Sequence, residues 1–383
     1  MQENRSFDEY FGMLKRLGQP KAQGLPRKAR NVDPTGATPR IRPFHQKALC
    51  EVADLDHSWT GTHVSVDGGK MDRFTEVNVH PSDPNGDRAM GFYTAADLNY
   101  YYKLYSKFAI GDHYFCSLQG PTFPNRFYFL AGTSFGHINN DFPPAADQFD
   151  QRSIFNLLDE AHVTWKVYYA QIAFAQQFSY VRNTRMENLV PVDQYFADAA
   201  AGTLPQVSFV DPVFLESPNV ENDEHPPANV QIGQQFAASI IGALMQSPLW
   251  SRSALFLNYD EHGGYYDHVP PPAACIPDDV PPLLSVGDFN AQFDAYGVRV
   301  PVVVVSPYAR KHFVSHTVHD HTSVLRFVET RFDLPALTRR DANADPMLEF
   351  FDFSKTTFAT PPKLPAPAVN PKKKAACDGL AAR

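Results

Sequence analysis

Short apolar runs alternate with amphipathic segments from residue 95 onward, and this alternation limits the possible folds more than any other feature of the chain. The apolar runs that predict strands cover residues 109–115, 164–169, 207–210, 254–258 and 300–305. The segments that predict helices cover residues 96–108, 124–130, 153–161, 230–245 and 322–332. Strands that alternate with helices are typical of βαβ units. The sequence therefore predicts an α/β fold with a mostly parallel central sheet and helices on both faces.

The length of 383 residues suits one large α/β domain or two ordinary ones, and we place one catalytic domain at residues 1–353. Two proline-rich stretches, 205–227 and 270–282, interrupt the alternation. Long ordered insertions of this kind usually form the wall of a site. Residues 354–383 are rich in Pro, Ala and Lys and lack apolar periodicity, so we expect this tail to be disordered.

Composition excludes two classes of protein. The net charge of −8 leaves no broad basic surface for nucleic acid. No apolar run approaches the ~20 residues of a membrane-spanning helix. The four cysteines (Cys50, Cys116, Cys275 and Cys377) lack the CxxC spacing of zinc sites, and both disulfides and free thiols stay open. No signal peptide precedes Met1, which taken alone indicates the cytoplasm.

An acidic motif follows the predicted strand at 254–258. Asp260 and Glu261 are adjacent, and Gly263 and Gly264 come soon after them. Two neighbouring carboxylates repel each other unless a cation compensates them. An acidic turn that caps a helix is the alternative. Oxygen ligands favour a hard divalent cation, so we predict a metal site here.

A second motif, SLQGPTFPNR at residues 117–126, lies between a predicted strand and a predicted helix. Thr122 falls at the expected N-cap, and Pro124 lies in the first turn. A purely structural cap is one interpretation. The other is that the helix N-terminus binds a phosphate group and a metal-bound Thr122 hydroxyl attacks phosphorus. Asn125 and Arg126 are then either ligands of the phosphate oxygens or surface residues of the helix.

The opening residues supply further oxygen ligands. Glu3 and Asn4 suit a hard cation, although Ser6 followed by Glu9 equally fits the start of a capped helix.

Four histidines follow a carboxylate closely in the sequence: His57, His225, His268 and His321. A structural role is the simpler interpretation for any one of them. Phosphoryl transfer, however, needs a proton donor for the leaving oxygen and donors for the developing charge, and histidine supplies both.

Together the motifs resemble the phosphoesterase family, which includes bacterial phospholipases C and acid phosphatases. The resemblance runs in order from residue 2 to about residue 332. It is carried by ENRSFD with FG (3–12), GPT with PNR (120–126), YDEHGGYYDHV (259–269), VP through SPYAR (300–310) and DHTS (320–323).

The resemblance implies an alkaline phosphatase-like fold and a metal-bound hydroxyl nucleophile. The implied ligands of a divalent metal ion are Glu3, Asn4, Asp260, Glu261 and Thr122, with Thr122 bridging the metal and phosphorus. The implied catalytic histidines are His57, His225 and, as a weaker assignment, His321. Export from the cytoplasm is also implied.

The acid phosphatases of the family carry Asp-Asp in place of Asp260-Glu261, and Ser in place of Thr122. Both differences match the phospholipase C pattern. We therefore expect hydrolysis of phosphatidylcholine-type phosphodiesters through a phosphothreonine intermediate. A broad-specificity phosphomonoesterase is the nearest alternative, and an inactive cation-dependent binding protein is a more distant one.

In the family an apolar strand directly precedes the Glu-Asn pair, whereas only Met1 and Gln2 precede it here. We expect such a strand upstream, behind an export signal. A central strand buries side chains on both faces, so residues 1–383 alone are expected to be poorly soluble or weakly active.

Overall fold

A computed structural model describes residues 1–51, 53–141, 149–214 and 216–381. The strands are β1 Phe44–His45, β2 Gly91–Phe92, β3 Ala109–Gly111, β4 Trp165–Tyr169, β5 Leu189–Pro191, β6 Val207–Asp211, β7 Leu255–Asn258, β8 Val302–Val305 and β9 Val314–Ser315. The helices are α1 Phe7–Phe11, α2 Leu14–Leu17, α3 Trp59–Val66, α4 Phe74–Val77, α5 Asn99–Lys107, α6 Thr122–Ala131, α7 Ile154–Glu160, α8 Ser179–Thr184, α9 Asp193–Ala201, α10 Val230–Gln246, α11 His321–Phe332, α12 Arg339–Ala342 and α13 Pro371–Ala381.

The predicted α/β class is confirmed, and the strands lie in two principal sheets. Strands β5, β4 and β6 form a fully parallel sheet in that order. Strands β7, β8, β3 and β9 form a mixed sheet, in which β8 is antiparallel to both neighbours and β3 is parallel to β9. β1 and β2 form a separate parallel pair.

Burial explains why β8 is central. All four of its valines are buried, as expected for a strand covered on both faces. One apolar core packs against this sheet, and a second surrounds β4 with Phe155 and Trp165. Helix α6 contacts both cores, since Phe129 packs against each of them.

A cavity of about 880 Å³ separates the edge strands β6 and β7, and α10 also contributes to its lining. At its end Gln2 pairs in parallel with Tyr259: the Gln2 amide donates to Asn258 O at 2.9 Å, and the Asp260 amide donates to Gln2 O at 3.1 Å. This pairing places Glu3 and Asn4 directly beside Asp260 and Glu261. The apolar strand expected ahead of Glu3 stays a prediction.

The C-terminal segment differs from the expectation of disorder in the part that the structure describes, up to residue 381. Helix α13 is joined to the domain by a disulfide between Cys377 and Cys50. Upstream, Phe358 is buried and its carbonyl accepts a hydrogen bond from the Trp250 indole at 2.8 Å. Apolar periodicity does not predict this ordered segment, because it is held by a few separate contacts. Among the described residues, no helix is long and apolar enough to cross a membrane.

Candidate active site

The predicted site residues converge at one end of the sheets. Glu3 and Asn4 follow the Gln2 pairing, Asp260 and Glu261 follow β7, and Thr122 begins α6. His57 lies just before α3, and His225 lies in the loop between β6 and α10. The proline-rich stretch 205–227 thus contributes to the wall, within the residues described.

The backbone at Asn4 is held in an unusual conformation. Its φ is 62°, and its amide donates to Asp260 Oδ1 at 3.0 Å. Gly263, at φ 61°, lies so close that a Cβ would be 2.2 Å from Asn4 O. A side chain at position 263 is therefore excluded. The glycine allows the close approach of the Asn4 backbone.

Thr122 is the first residue of α6, and Pro121 takes the N-cap position. The interpretation of Thr122 as a structural cap is therefore wrong. Its Oγ1 instead donates to Asn4 Oδ1 at 3.3 Å, and the residue is 3% exposed. Asn125 accepts hydrogen bonds from Ser117 N at 2.8 Å and Leu118 N at 3.1 Å, which fixes the loop ahead of Thr122.

Arg126 lies among the carboxylates, one turn after Thr122. Its Nη2 donates to Glu3 Oε1 at 2.7 Å and its Nε donates to Asp260 Oδ2 at 3.3 Å, while Nη1 lies 3.8 Å from Asp211. Arg126 is buried, so it is not a residue of the helix surface. Its hydrogen bonds go to the predicted metal ligands, and the suggested role with phosphate oxygens stays a prediction.

His57 and His225 face each other, with ring centres 5.8 Å apart. The Nδ1 of His57 lies 2.7 Å from Leu55 O, which leaves Nε2 3.4 Å from Asn4 Nδ2 and 3.9 Å from Glu261 Oε1. Burial lowers the pKa of His57, but the carboxylates of Glu261 and Asp54 outweigh it and raise the pKa to about 9. Burial is the largest influence on His225 and lowers its pKa.

His321 lies behind the site. Its Nε2 is 2.6 Å from the backbone oxygen of Asp260, and its Nδ1 is 3.0 Å from the Tyr114 hydroxyl. Burial lowers the pKa of His321 to about 3, so the ring is neutral. This geometry holds the backbone of a predicted ligand. A catalytic role for His321 stays a prediction.

The donor set suits a hard cation. Glu3, Asp260 and Glu261 are buried together, and burial raises the pKa of Glu3 to about 8 against the opposing effect of Arg126. Glu261 Oε1 is buried and has no hydrogen-bond donor among the described residues. Oxygen donors of this kind, including Asn4 Oδ1, fit Mg²⁺, Ca²⁺ or a similar divalent ion.

Two groups of described residues each bring three possible metal ligands within 4.8 Å of one another. The carboxylates of Glu3, Asp260 and Glu261 do not form such a group among the described residues. The first group is Asp54, His57 and His225, which borders the site. The second is Asp8, Asp267 and His268. In the second group Arg299 pairs with Asp8 at 3.1 Å and with Asp267 at 3.0 Å. The guanidinium group of Arg299 therefore already compensates these two carboxylates.

A buried carboxylate supports the site from beneath. Glu224 accepts hydrogen bonds from the hydroxyls of Tyr10 at 2.6 Å, Tyr259 at 2.8 Å and Tyr101. The Glu224 backbone oxygen accepts from Arg5 Nε at 2.9 Å. Glu224 thereby connects the opening segment, β7 and the loop that carries His225. We call Glu224 and these three tyrosines the tyrosine cage.

Two of the carboxylates that precede a histidine in the sequence do not pair with it in the structure. Asp56 accepts from Ser58 N at 2.9 Å, and Asp320 caps α11, so neither pairs with the histidine that follows it. The residue that sequence reasoning missed is Asp54, whose Oδ2 lies 3.8 Å from His57 and 3.7 Å from His225. The sequence offered one indication of its role, because Asp54 lies three residues before His57.

The family model for the Phosphoesterase family matches residues 1–335. The chain belongs to this family. The match spans every residue of the site described above.

Its relatives include proteins named as phospholipases C. It is 33% identical to "Phospholipase C B" of Mycobacterium tuberculosis, over 97% of this chain and 80% of that protein. It is 32% identical to "Non-specific phospholipase C1" of Arabidopsis thaliana, over 91% and 69%. Among solved structures it is similar to a protein in the alkaline phosphatase superfamily from Vibrio parahaemolyticus, with 10% identity, a TM-score of 0.38 and coverage of 88% and 78%.

Proposed function

We propose that this phosphoesterase is a phospholipase C that hydrolyses phosphatidylcholine-type phosphodiesters with Thr122 as nucleophile. The observation that carries the proposal is the hydrogen bond from the Thr122 hydroxyl to Asn4 Oδ1 at 3.3 Å, since the Asn4 amide in turn donates to the buried carboxylate of Asp260 at 3.0 Å. The relatives named phospholipase C support the substrate class.

Glu3, Asn4, Asp260 and Glu261 would hold the cation together with the hydroxyl of Thr122, which donates to Asn4 Oδ1. The bound cation supplies positive charge that favours the ionised form of the hydroxyl and neutralises the phosphoryl oxygens. The unpartnered Oε1 of Glu261 supports this assignment. The remaining chemistry belongs to the side chains of the chain itself.

In the first step Thr122 Oγ1 loses its proton to water and bonds to phosphorus, while the bond from phosphorus to the diacylglycerol oxygen breaks. The leaving oxygen takes a proton from His57 Nε2, which faces the site because Nδ1 is held by Leu55 O. Water then attacks the phosphothreonine and gives one proton back to His57. The bond from phosphorus to Thr122 Oγ1 breaks, phosphocholine leaves, and Oγ1 regains from solvent the proton that it lost in the first step.

A broad-specificity phosphomonoesterase is the second candidate, because the same nucleophile serves monoesters. The two are separated by measuring kcat/KM for phosphatidylcholine and for p-nitrophenyl phosphate, with added Mg²⁺, Ca²⁺, Mn²⁺ or Zn²⁺ and after chelation. We expect the diester to be preferred. A monoester preference would overturn the phospholipase assignment, and no turnover of either substrate with any metal would favour an inactive binding protein.

Trapping tests the intermediate itself. Acid quenching during turnover of phosphatidylcholine, followed by peptide mass spectrometry, is expected to show a phosphocholine adduct on Thr122. The Thr122→Ala variant is the matched control. An adduct on another residue would contradict the nucleophile assignment.

We also propose that the protein works outside the cytoplasm. The Cys50–Cys377 disulfide supports this, since such bonds persist in oxidising compartments. Detection of the bond in protein from the native host, after trapping of free thiols, is the test. A fully reduced pair would contradict the proposal.

A further inference from the structure

An apolar loop at residues 276–289 exposes more large hydrophobic side chains than any comparable stretch of the described chain. These side chains are Ile276, Val280, Leu283, Leu284, Val286 and Phe289. Val286 is fully exposed, and Leu283 is 56% exposed. Scattered single hydrophobic residues are normal on a protein surface, but a contiguous group marks an interaction site.

The loop is held firmly at its base while its tip projects. The Leu283 amide donates to Gly136 O at 2.8 Å, and the Arg339 amide donates to Pro277 O at 2.9 Å. At the tip, the Ser285 amide donates to Asp288 Oδ2 at 2.7 Å, which closes a turn with Val286 pointing outward. Val286 thus stands fully exposed at the tip of an anchored loop, with the partly exposed Leu283 and Leu284 beside it.

The loop borders the candidate active site. The Trp59 indole donates to Phe289 O at 2.8 Å, and Trp59 lies two residues after His57. The Trp59 ring also packs beside Gly120, since a Cβ there would be 3.7 Å from it, and Gly120 lies two residues before Thr122. The same indole therefore contacts the loop and the segment that carries the nucleophile.

The charge of the loop selects among lipid surfaces. Residues 276–289 contain three aspartates and no lysine or arginine. Only Asp279 has a cationic partner, Arg339 at 2.8 Å, among the described residues. Carboxylates repel an anionic membrane, whereas a phosphocholine surface presents its quaternary ammonium groups outermost. The loop is complementary to a zwitterionic bilayer.

We propose that residues 276–289 insert into a phosphatidylcholine surface and hold the active-site mouth against it. The proposal rests on the proposed function for its choice of lipid. A diacyl substrate keeps its acyl chains in the bilayer during hydrolysis, so the enzyme needs an apolar contact beside its nucleophile. A single loop with exposed apolar side chains supplies such a contact without a membrane-spanning helix.

Vesicle flotation at 4 °C tests the proposal independently of turnover. The wild-type chain is expected to float with phosphatidylcholine vesicles, and the triple variant Leu283→Ser, Leu284→Ser, Val286→Ser is expected to bind at least about tenfold more weakly. Equal binding by the two proteins would overturn the proposal. So would stronger binding of the wild type to phosphatidylglycerol vesicles than to phosphatidylcholine vesicles.

A matched control removes three exposed apolar side chains elsewhere: Leu17→Ser, Met186→Ser and Leu348→Ser, whose exposures are 44%, 47% and 44%. This variant is expected to float like the wild type. Loss of binding in the control as well would show a general hydrophobic effect and contradict the assignment to the loop. Size-exclusion chromatography tests the alternative that the loop binds a second copy of the chain. A wild-type dimer that only the loop variant loses would make the loop a protein interface.

Activity separates this proposal from the function on which it rests. The loop variant is expected to hydrolyse a soluble short-chain phosphatidylcholine at the wild-type rate and vesicles at least about tenfold more slowly. If neither protein hydrolyses the soluble diester, the proposed function fails while flotation still decides the role of the loop. If the loop variant loses both activities equally, the loop supports the site structurally and the docking proposal is wrong.

Discussion

Breaking the disulfide between Cys50 and Cys377 is expected to destabilise the whole domain. The bond closes a loop of 327 residues, for which the chain-entropy relation gives about 6 kcal/mol at 25 °C. Losses measured for native disulfides are smaller, about 2–5 kcal/mol. Unfolding 383 residues carries an entropy of about 0.8 kcal/mol per kelvin, so the Tm should fall by about 3–6 °C.

The assay is thermal unfolding of the Cys50→Ser, Cys377→Ser double variant, which avoids a lone reactive thiol. Thiol titration of the denatured, unreduced wild type supplies the control and should detect only Cys116 and Cys275. Four reactive thiols, or an unchanged Tm in the double variant, would refute the reasoning.

Three further predictions address the site and the core. Thr122→Ala should lower kcat by about 10⁴-fold or more, while Thr122→Ser should keep part of the rate. An unchanged kcat in Thr122→Ala would contradict the assignment of Thr122 as the nucleophile. Chelation should inactivate the enzyme reversibly, and Asp260→Asn should weaken metal binding, measured by calorimetry, by at least about tenfold. Activity that survives complete removal of the metal would contradict the metal site. Burial, and next Asp341, raise the pKa of Glu329 to about 9, so its contribution to stability is greatest below pH 4.5 and is lost as the pH rises toward 9. Between pH 5 and pH 9 the free energy of unfolding of the wild type, measured with urea, should therefore fall by on the order of 2–4 kcal/mol more than that of Glu329→Gln. The same pH dependence of this free energy in both proteins would refute the assignment.

Local patterns predicted the larger elements because each pattern reports the burial of its own segment. The prediction of a strand near 300–305 succeeds because four consecutive valines are buried on both faces. The prediction of a helix at 230–245 matches α10 to within one residue at its end. Strand β9 was not predicted, because two residues carry too little periodicity.

Partners distant in sequence were harder to predict. The motifs named Glu3, Asp260 and Thr122, but not that Arg126 joins the first two through hydrogen bonds. Spacing also gave no sign that Cys377 bonds to Cys50 or that Asp54 lies beside His225. These contacts depend on how whole elements pack, which a linear pattern does not encode.

The tyrosine cage gives the protein an internal optical reporter. Burial, followed by the Glu224 carboxylate, holds the pKa of Tyr10, Tyr101 and Tyr259 well above the ordinary value. In an alkaline titration followed at 295 nm, these phenols should stay un-ionised while exposed tyrosines ionise. Burial holds the pKa of Tyr93, Tyr105, Tyr114 and Tyr265 well above the ordinary value as well. The late step of the titration should therefore appear only when the buried core opens, and it reports the integrity of the scaffold that supports the site without any substrate.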